Sequence, residues 1–229
     1  MKYVVTGGAG FIGSTFIDEV LQKDKDTKIV CIDNFSTGYA SNIPSSCNVK
    51  IINTDISTLT TDTPLYTTKV KDAVSDADVM FHFAAKARVQ PSIDNPVDFN
   101  DTNVTGTLNL LEICRQAGIK RFIFSSSSSI YGDTDIFPTP ETAQPAPLSP
   151  YGLQKLIGEQ YCKLYSTIYN VETVCLRYFN VYGDKMPHTG AYCLVIGMWS
   201  QLKRAGKPLI IYGDGSHRRD FTDVKDIVQ

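Results

Sequence analysis

Residues 2 to 13 constrain this chain more than any other stretch. A β-branched run, K-Y-V-V-T, ends at Thr6 and passes at once into G-G-A-G-F-I-G, where an amphipathic pattern begins at Phe11. Glycines at 7, 10 and 13 in a strand-to-helix turn permit a tight bend, bring backbone N–H groups close to a pyrophosphate, and let the helix pack tightly on the sheet. Spacing alone leaves an ordinary glycine turn open as the alternative. Position favours the first reading, because the turn is the first in the chain and Asp33 closes the next strand about twenty residues on. A carboxylate there accepts bonds from adenosine ribose hydroxyls and repels a 2′-phosphate, so NAD is expected over NADP. Asp33 and Asn34 starting a plain turn is the bland alternative. Asp55, after the third strand, reads either as an acceptor for the adenine amine or as a solvated loop acid.

The rest of the chain repeats that alternation of short apolar run, polar turn and longer amphipathic stretch. Strands are expected at 2–6, 28–33, 49–53, 78–83, 121–126 and 172–178, and their near-continuous apolar character suits a parallel sheet covered on both faces. Helices are expected at about 11–22, at about 103–116 with Val104, Leu108 and Leu111 on one stripe, and after Ser149 and Pro150, an N-cap and a first-turn proline. Ile157, Tyr161, Leu164 and Ile168 would give this third helix its apolar face. Five prolines between 137 and 150 predict a surface loop. Beyond 178 the pattern loosens into loops, a helix near 193–205 and a strand at 209–212. The expected division is residues 1–178 as one domain and 179–229 as part of a smaller second one.

Composition excludes several classes. At 42% apolar and 20% charged the chain is an ordinary globular one, and a net charge of −2 with no basic stripe argues against nucleic acid. No apolar run is long enough to span a membrane, and a strand pattern from residue 3 leaves no room for a signal peptide. Six cysteines without a C-x-x-C pair read as reduced cytoplasmic thiols, and three scattered histidines predict no metal site.

Tyr151 and Lys155 stand four apart on the helix after Pro150, which puts phenol and ammonium on one face. With a free pKa near 10, a tyrosine base at neutral pH needs a downward shift of about 3 units, for which Lys155 and a positive nicotinamide ring are expected sources. A Tyr-x-x-x-Lys is a frequent accident, but this one starts the helix after the fifth strand, where the sheet's carboxyl edge lies. Ser127 falls in the run Ser125 to Ser129; spacing does not say which hydroxyl faces inward.

The segments T-G-G-A-G-F-I-G (6–13), I-D-N-F-S-T-G (32–38), H-F-A-A (82–85), N-V-T-G-T (103–107), F-I-F-S-S-S-S-S-I-Y-G (122–132), S-P-Y-G-L-Q-K (149–155), L-R-Y-F-N-V-Y-G (176–183) and G-D-G-S-H-R-R-D-F (213–221) together resemble the sugar-nucleotide epimerases and dehydratases of the extended short-chain dehydrogenases. The resemblance covers nearly the whole chain and is strongest to the UDP-hexose 4-epimerases. It implies an α/β fold, a Rossmann-type doubly wound parallel sheet with an incomplete small C-terminal substrate domain, since chains of the family continue past the point matching Gln229. It implies that Gly7, Gly10, Phe11, Ile12 and Gly13 hold the NAD pyrophosphate, Asp33 and Asn34 the ribose, and Asp55 and Ile56 the adenine. Ala84, Ala85, Lys86, Asn103 and Tyr178 would complete the cofactor site. Ser127, Tyr151 and Lys155 would be catalytic, with Ser127, Asn180, Tyr192 and Arg219 on the UDP-sugar. The implied reaction removes hydride from sugar C4 to NAD while Tyr151 takes the hydroxyl proton, then returns the hydride to the other face. Family dehydratases carry an Asp-Glu pair directly after the catalytic hydroxyl, where this chain has Ser128 and Ser129. A 4,6-dehydratase or decarboxylase, and a truncated nucleotide-binding protein without activity, are the rival readings. A homodimer through the helices starting near Asn103 and Pro150 is also implied.

Overall fold

The computed structural model describes residues 1–188 and 193–229. The element order is β1 (Lys2–Thr6), α1 (Phe11–Lys23), β2 (Lys28–Asp33), β3 (Val49–Asn53), α2 (Lys71–Val74), β4 (Val79–His82), α3 (Val89–Asp94), α4 (Pro96–Asn100), α5 (Gly106–Ala117), β5 (Arg121–Ser127), α6 (Pro150–Tyr169), β6 (Glu172–Tyr178), β7 (Asn180–Tyr182), α7 (Val195–Arg204), β8 (Phe221–Asp223) and α8 (Val224–Val228). The first six strands form one parallel sheet in the order β3-β2-β1-β4-β5-β6; β7 and β8 pair separately. The order runs outward in both directions from β1, so the connections to β2 and β4 leave a crevice at their carboxyl ends, where doubly wound sheets bind ligands.

Strand alternation explains the two covered faces. Val4 stands opposite Val30 and Met80 across the sheet and buries with Phe122, Phe124, Leu110, Leu111, Cys162 and Tyr165 beneath α5 and α6. Val5, one residue on, faces the other way into a core of Phe16, Ile17, Ile29 and Cys31 under α1, which Val181, Val224 and Val228 also join. Part of the 179–229 stretch therefore packs against α1 on the main sheet, through β7 and α8.

The six expected strands are present, with β4 shorter at both ends and β5 one residue longer. α6 begins as its sequence suggests: Ser149 accepts from the Gly152 N–H at 3.1 Å and Pro150 opens the first turn. Its buried face differs from expectation. Leu164 and Ile168 point outward, while Gly152, Lys155, Gly158, Cys162 and Tyr165 face the sheet. The cause is close approach: a Cβ on Gly158 would lie 2.5 Å from the Phe124 ring, so small residues mark the packed side. The expected strand at 209–212 is absent; those residues are exposed and lack a neighbouring strand among the described residues, although the Trp199 indole donates to the Ile210 carbonyl at 2.8 Å. A strand pattern without a partner has nowhere to place its backbone bonds.

Candidate functional site

One cavity of about 880 Å³ opens along the carboxyl ends of the strands. At its centre is the first turn. The Gly7 N–H donates to the Ile32 carbonyl at 2.8 Å, and the Gly10 N–H to the Gly7 carbonyl at 3.1 Å, which folds the loop so that α1 starts with Gly10 as a cap without a side chain. The helix's free N–H groups and the positive end of its dipole then border the cavity, with no acidic side chain in the helix's first turn.

Asp33 closes β2 half a turn away, buried, accepting from the Ala9 N–H at 2.9 Å and the Phe35 N–H at 2.8 Å. Each oxygen keeps a second acceptor site, so the acid both braces the glycine turn and can take ribose hydroxyls. The Asn34 amide donates to Asp55 at 2.7 Å. Burial works to raise the Asp55 carboxyl, but bonds from the Ser57 hydroxyl and N–H and from Asn34 outweigh it and hold the group below its ordinary value.

On the far wall stand Ser125, Ser126, Ser127, Tyr151, Lys155 and Tyr178. The serine ambiguity resolves in part. Ser126 donates to Glu159 at 2.5 Å, and Ser128 and Ser129 do not line the cavity. Ser127 accepts from the Ser129 N–H at 3.1 Å, leaving its own hydroxyl hydrogen to point elsewhere. The Ser125 hydroxyl is buried without a hydrogen bond; it approaches the Tyr178 phenol, whose pKa burial raises and this contact lowers, but falls short of bond geometry.

Tyr151 departs from expectation. Burial pushes its phenol upward, and the Ser127 hydroxyl and the Arg88 charge only partly offset this. The Lys155 ammonium lies 6.0 Å from the Tyr151 ring centre, over the Phe124 ring at 4.9 Å, and donates to the Ser125 carbonyl at 2.8 Å. Burial pushes Lys155 itself from 10.5 down to about 8.

That shift has a sign. Between about pH 8 and the ordinary lysine value the unfolded chain holds more protons than the folded one, so this group adds stability as pH rises through that window and subtracts below it. Lys155→Met is therefore expected to raise the melting temperature at pH 7, with the gain shrinking toward pH 10, as thermal melts of both chains would read. A lower melting temperature at pH 7 would show that the bond to Ser125 outweighs burial.

Gly7, Gly10, Phe11, Ile12, Gly13, Asp33, Asn34, Asp55, Ile56, Ala84, Ala85, Lys86, Ser127, Tyr151, Lys155 and Tyr178 all border the cavity. Three expected residues do not. Asn103 is buried behind the wall, with its amide spent on Lys86 and Gln154. Asn180 turns to the Asp220 carbonyl at 2.9 Å, and Arg219 is exposed, donating to the Arg218 carbonyl at 2.7 Å. Both belong to the loosely patterned C-terminal stretch, where β7 and β8 are three residues each. Tyr192 lies outside the described residues. Sequence reasoning gave no site role to the loop of Ser36 to Tyr39, which packs on the glycine turn through Tyr39 N–H to the Ala9 carbonyl at 3.2 Å, or to Arg88, held at φ 105° beside the cavity. A positive φ at a residue other than glycine leaves no mark in the sequence.

A doubly wound parallel sheet with a glycine turn at the switch point, an acid closing the second strand and a Ser, Tyr and Lys set across the same crevice defines a nucleotide-binding protein of the extended short-chain dehydrogenase kind. The chain belongs to the NAD dependent epimerase/dehydratase family, which it matches over residues 3–229. It is 37% identical over 227 residues to a putative UDP-glucose 4-epimerase of Methanocaldococcus jannaschii, covering 99% of this chain and 70% of that protein. Among solved structures it resembles the UDP-N-acetylglucosamine 4-epimerase of Methanobrevibacter ruminantium in complex with UDP-N-acetylmuramic acid, with TM-score 0.90, 38% identity and coverage of 99% and 70%. It also resembles the UDP-glucose 4-epimerase of Thermus thermophilus in complex with NAD, with TM-score 0.85, 33% identity and coverage of 100% and 72%.

Proposed function

We propose that the chain binds NAD and inverts C4 of a UDP-hexose. The carrying observation is that the glycine turn, Asp33, Ser127, Tyr151 and Lys155 border a single cavity. The cradle fits a dinucleotide: a Cβ on Gly13 would lie 2.3 Å from the Gly7 carbonyl oxygen, so the turn closes only with a glycine there, and the cavity side of Gly10 stays open to a phosphate. In this reading Gly7, Gly10, Phe11, Ile12 and Gly13 hold the pyrophosphate, Asp33 and Asn34 the ribose, Asp55 and Ile56 the adenine, and 84–86 with Tyr178 the nicotinamide half.

Bound NAD supplies the hydride acceptor and donor. The residues of the chain do the rest. Tyr151 takes the proton from the 4-hydroxyl, Ser127 holds the same oxygen, and the 4-keto sugar turns before it is reduced on its other face. Burial leaves the phenol above its ordinary value, and the Lys155 ammonium 6.0 Å from its ring, together with the positive nicotinamide of bound NAD, would supply the lowering a base needs. Asn180, Tyr192 and Arg219 remain on the proposed substrate side only through the family resemblance.

Elimination of water across the sugar, the dehydratase reading, lacks support here, since Ser128 and Ser129 lie off the cavity wall and neither is an acid or base. Incubating the purified chain with NAD and UDP-sugars and reading the products by NMR is expected to show inversion at C4 with unchanged mass; loss of water or of carbon dioxide would instead support the rivals, and NAD binding without inversion the inactive one. Residues 179–229 are proposed as belonging to a substrate-binding domain. A homodimer is proposed from the outward Leu153, Leu164, Ile168 and Tyr169 of α6, and a monomer by light scattering would refute it. A cytoplasmic location is proposed from six free thiols.

A further inference from the structure

We propose that Gln154 is a positioning residue that, through Asn103, fixes the spacing between the cavity loop at 84–88 and the helix carrying Tyr151 and Lys155. Gln154 is only 4% exposed, and it sits between those two residues in α6. Its carbonyl accepts from the Asn103 amide at 2.9 Å, and its own amide reaches the Pro96 carbonyl at 3.4 Å. Asn103 grips Lys86 from both sides: it accepts from the Lys86 N–H and donates to the Lys86 carbonyl, each at 2.9 Å. Lys86 in turn borders the cavity.

The same set of bonds continues to the glycine turn. The Thr107 hydroxyl gives its one hydrogen to the Asn103 carbonyl at 2.7 Å, so toward His82 Nε2 at 2.9 Å it must accept. His82 is therefore protonated on Nε2, and its bare Nδ1 takes the Thr6 hydroxyl at 2.8 Å. The imidazole is 1% exposed between the rings of Phe122 and Phe124, and burial followed by the Lys155 charge keeps it neutral. An unbroken, uncharged series thus runs from the residue before Gly7 to the residue before Lys155. Three separate elements meet the cavity along it.

Buried amides of this kind add little net stability but tolerate few alternative arrangements, because each displaced bond leaves an unpaired group away from water. A slack of about 1 Å between cofactor and base costs about 10²-fold in rate. The turn of α6 that bears the phenol is tied to this side of the cavity by the Gln154–Asn103 bridge and, at Tyr151 itself, by its N–H donating to the buried Ser92 hydroxyl of α3 at 3.1 Å.

The test is a double-mutant cycle with Gln154→Met, which keeps length and shape, and Asn103→Ala, read in two ways on the whole chain. Amide exchange by NMR is expected to show the Lys86 N–H losing at least about tenfold protection in Gln154→Met while Val5, Val30 and Met80 in the sheet keep theirs. In NAD-loaded protein kcat is expected to fall about ten- to hundredfold with NAD affinity within about threefold. In the Asn103→Ala background, Gln154→Met should then change either readout by less than about twofold. Equal loss of protection everywhere, or additive effects, would show a role in stability alone and overturn the proposal. If Gln154→Met does not fold, the parent decides: a Lys86 N–H exchanging as fast as exposed loop amides refutes the bridge. The kcat arm rests on the proposed function and the exchange arm does not, so a chain without turnover would reject the function while the bridge is still decided.

Discussion

Tyr151→Phe is expected to lower C4 inversion by about 10³- to 10⁴-fold, at the upper end of what removing a general base costs, and to leave NAD affinity within about threefold. The two halves of that expectation come from different parts of the structure. The phenol ring is half-buried, lining the cavity beside Ser127, so phenylalanine keeps the packing and removes only the proton acceptor. The glycine turn and Asp33 lie across the cavity and lose nothing. Burial holds the phenol above its ordinary value, so the parent enzyme should gain rate with rising pH until the phenol is ionised, and Tyr151→Phe should lack that dependence. Progress curves by NMR across pH, with calorimetric titration of NAD, separate these outcomes. Retained turnover would remove Tyr151 from its role; lost NAD binding would mean the substitution had disturbed the fold instead.

How much of this was readable beforehand depends on where each signal resides. The central strands of the parallel sheet are legible because both faces are buried, so each reads as an apolar run bounded by turn residues. The glycine turn and Asp33 are legible because chemistry and geometry demand the same residues. The packed side of α6 is not, since a helix lying close on a sheet needs Gly158 and Cys162 where an apolar stripe would put Ile157 and Leu164. Side-chain partnerships over long separations are equally hidden. Nothing local in N-V-T-G-T says that Asn103 will spend its amide on Lys86 and Gln154 rather than reach the cavity. Spacing placed Tyr151 and Lys155 on one face, yet it could not show that the ammonium is held by the Ser125 carbonyl. The strand pattern at 209–212 misleads for a related reason, because a strand is a property of two segments and only one is visible in a run of residues.

Gly7→Ala and Gly10→Ala should behave as opposites, which makes the first turn a place where folding and cofactor binding come apart. Gly7 has φ 70°, and a Cβ there would stand 2.5 Å from the Ala84 nitrogen and 2.8 Å from the Phe83 carbonyl carbon. Those are backbone atoms that cannot rotate away, in a segment held by the Phe83 N–H to the Thr6 carbonyl at 3.0 Å and by the Asn103 grip on Lys86. Left-handed strain plus overpacking should destabilise Gly7→Ala by about 2–4 kcal/mol, a fall of about 5–15 °C in melting temperature, with NAD affinity lost alongside. Gly10, at φ −75°, is in a region open to any residue, and its Cβ would meet only the Gly7 carbonyl oxygen at 3.2 Å. Gly10→Ala should therefore melt within about 3 °C of the parent, while its methyl group, set at the helix start where a pyrophosphate must approach, weakens NAD by about 100-fold or more. Melts and calorimetric titrations of both variants decide it. If Gly10→Ala binds NAD as the parent does, the turn serves helix packing alone, and the cavity above it must admit its ligand by some other edge.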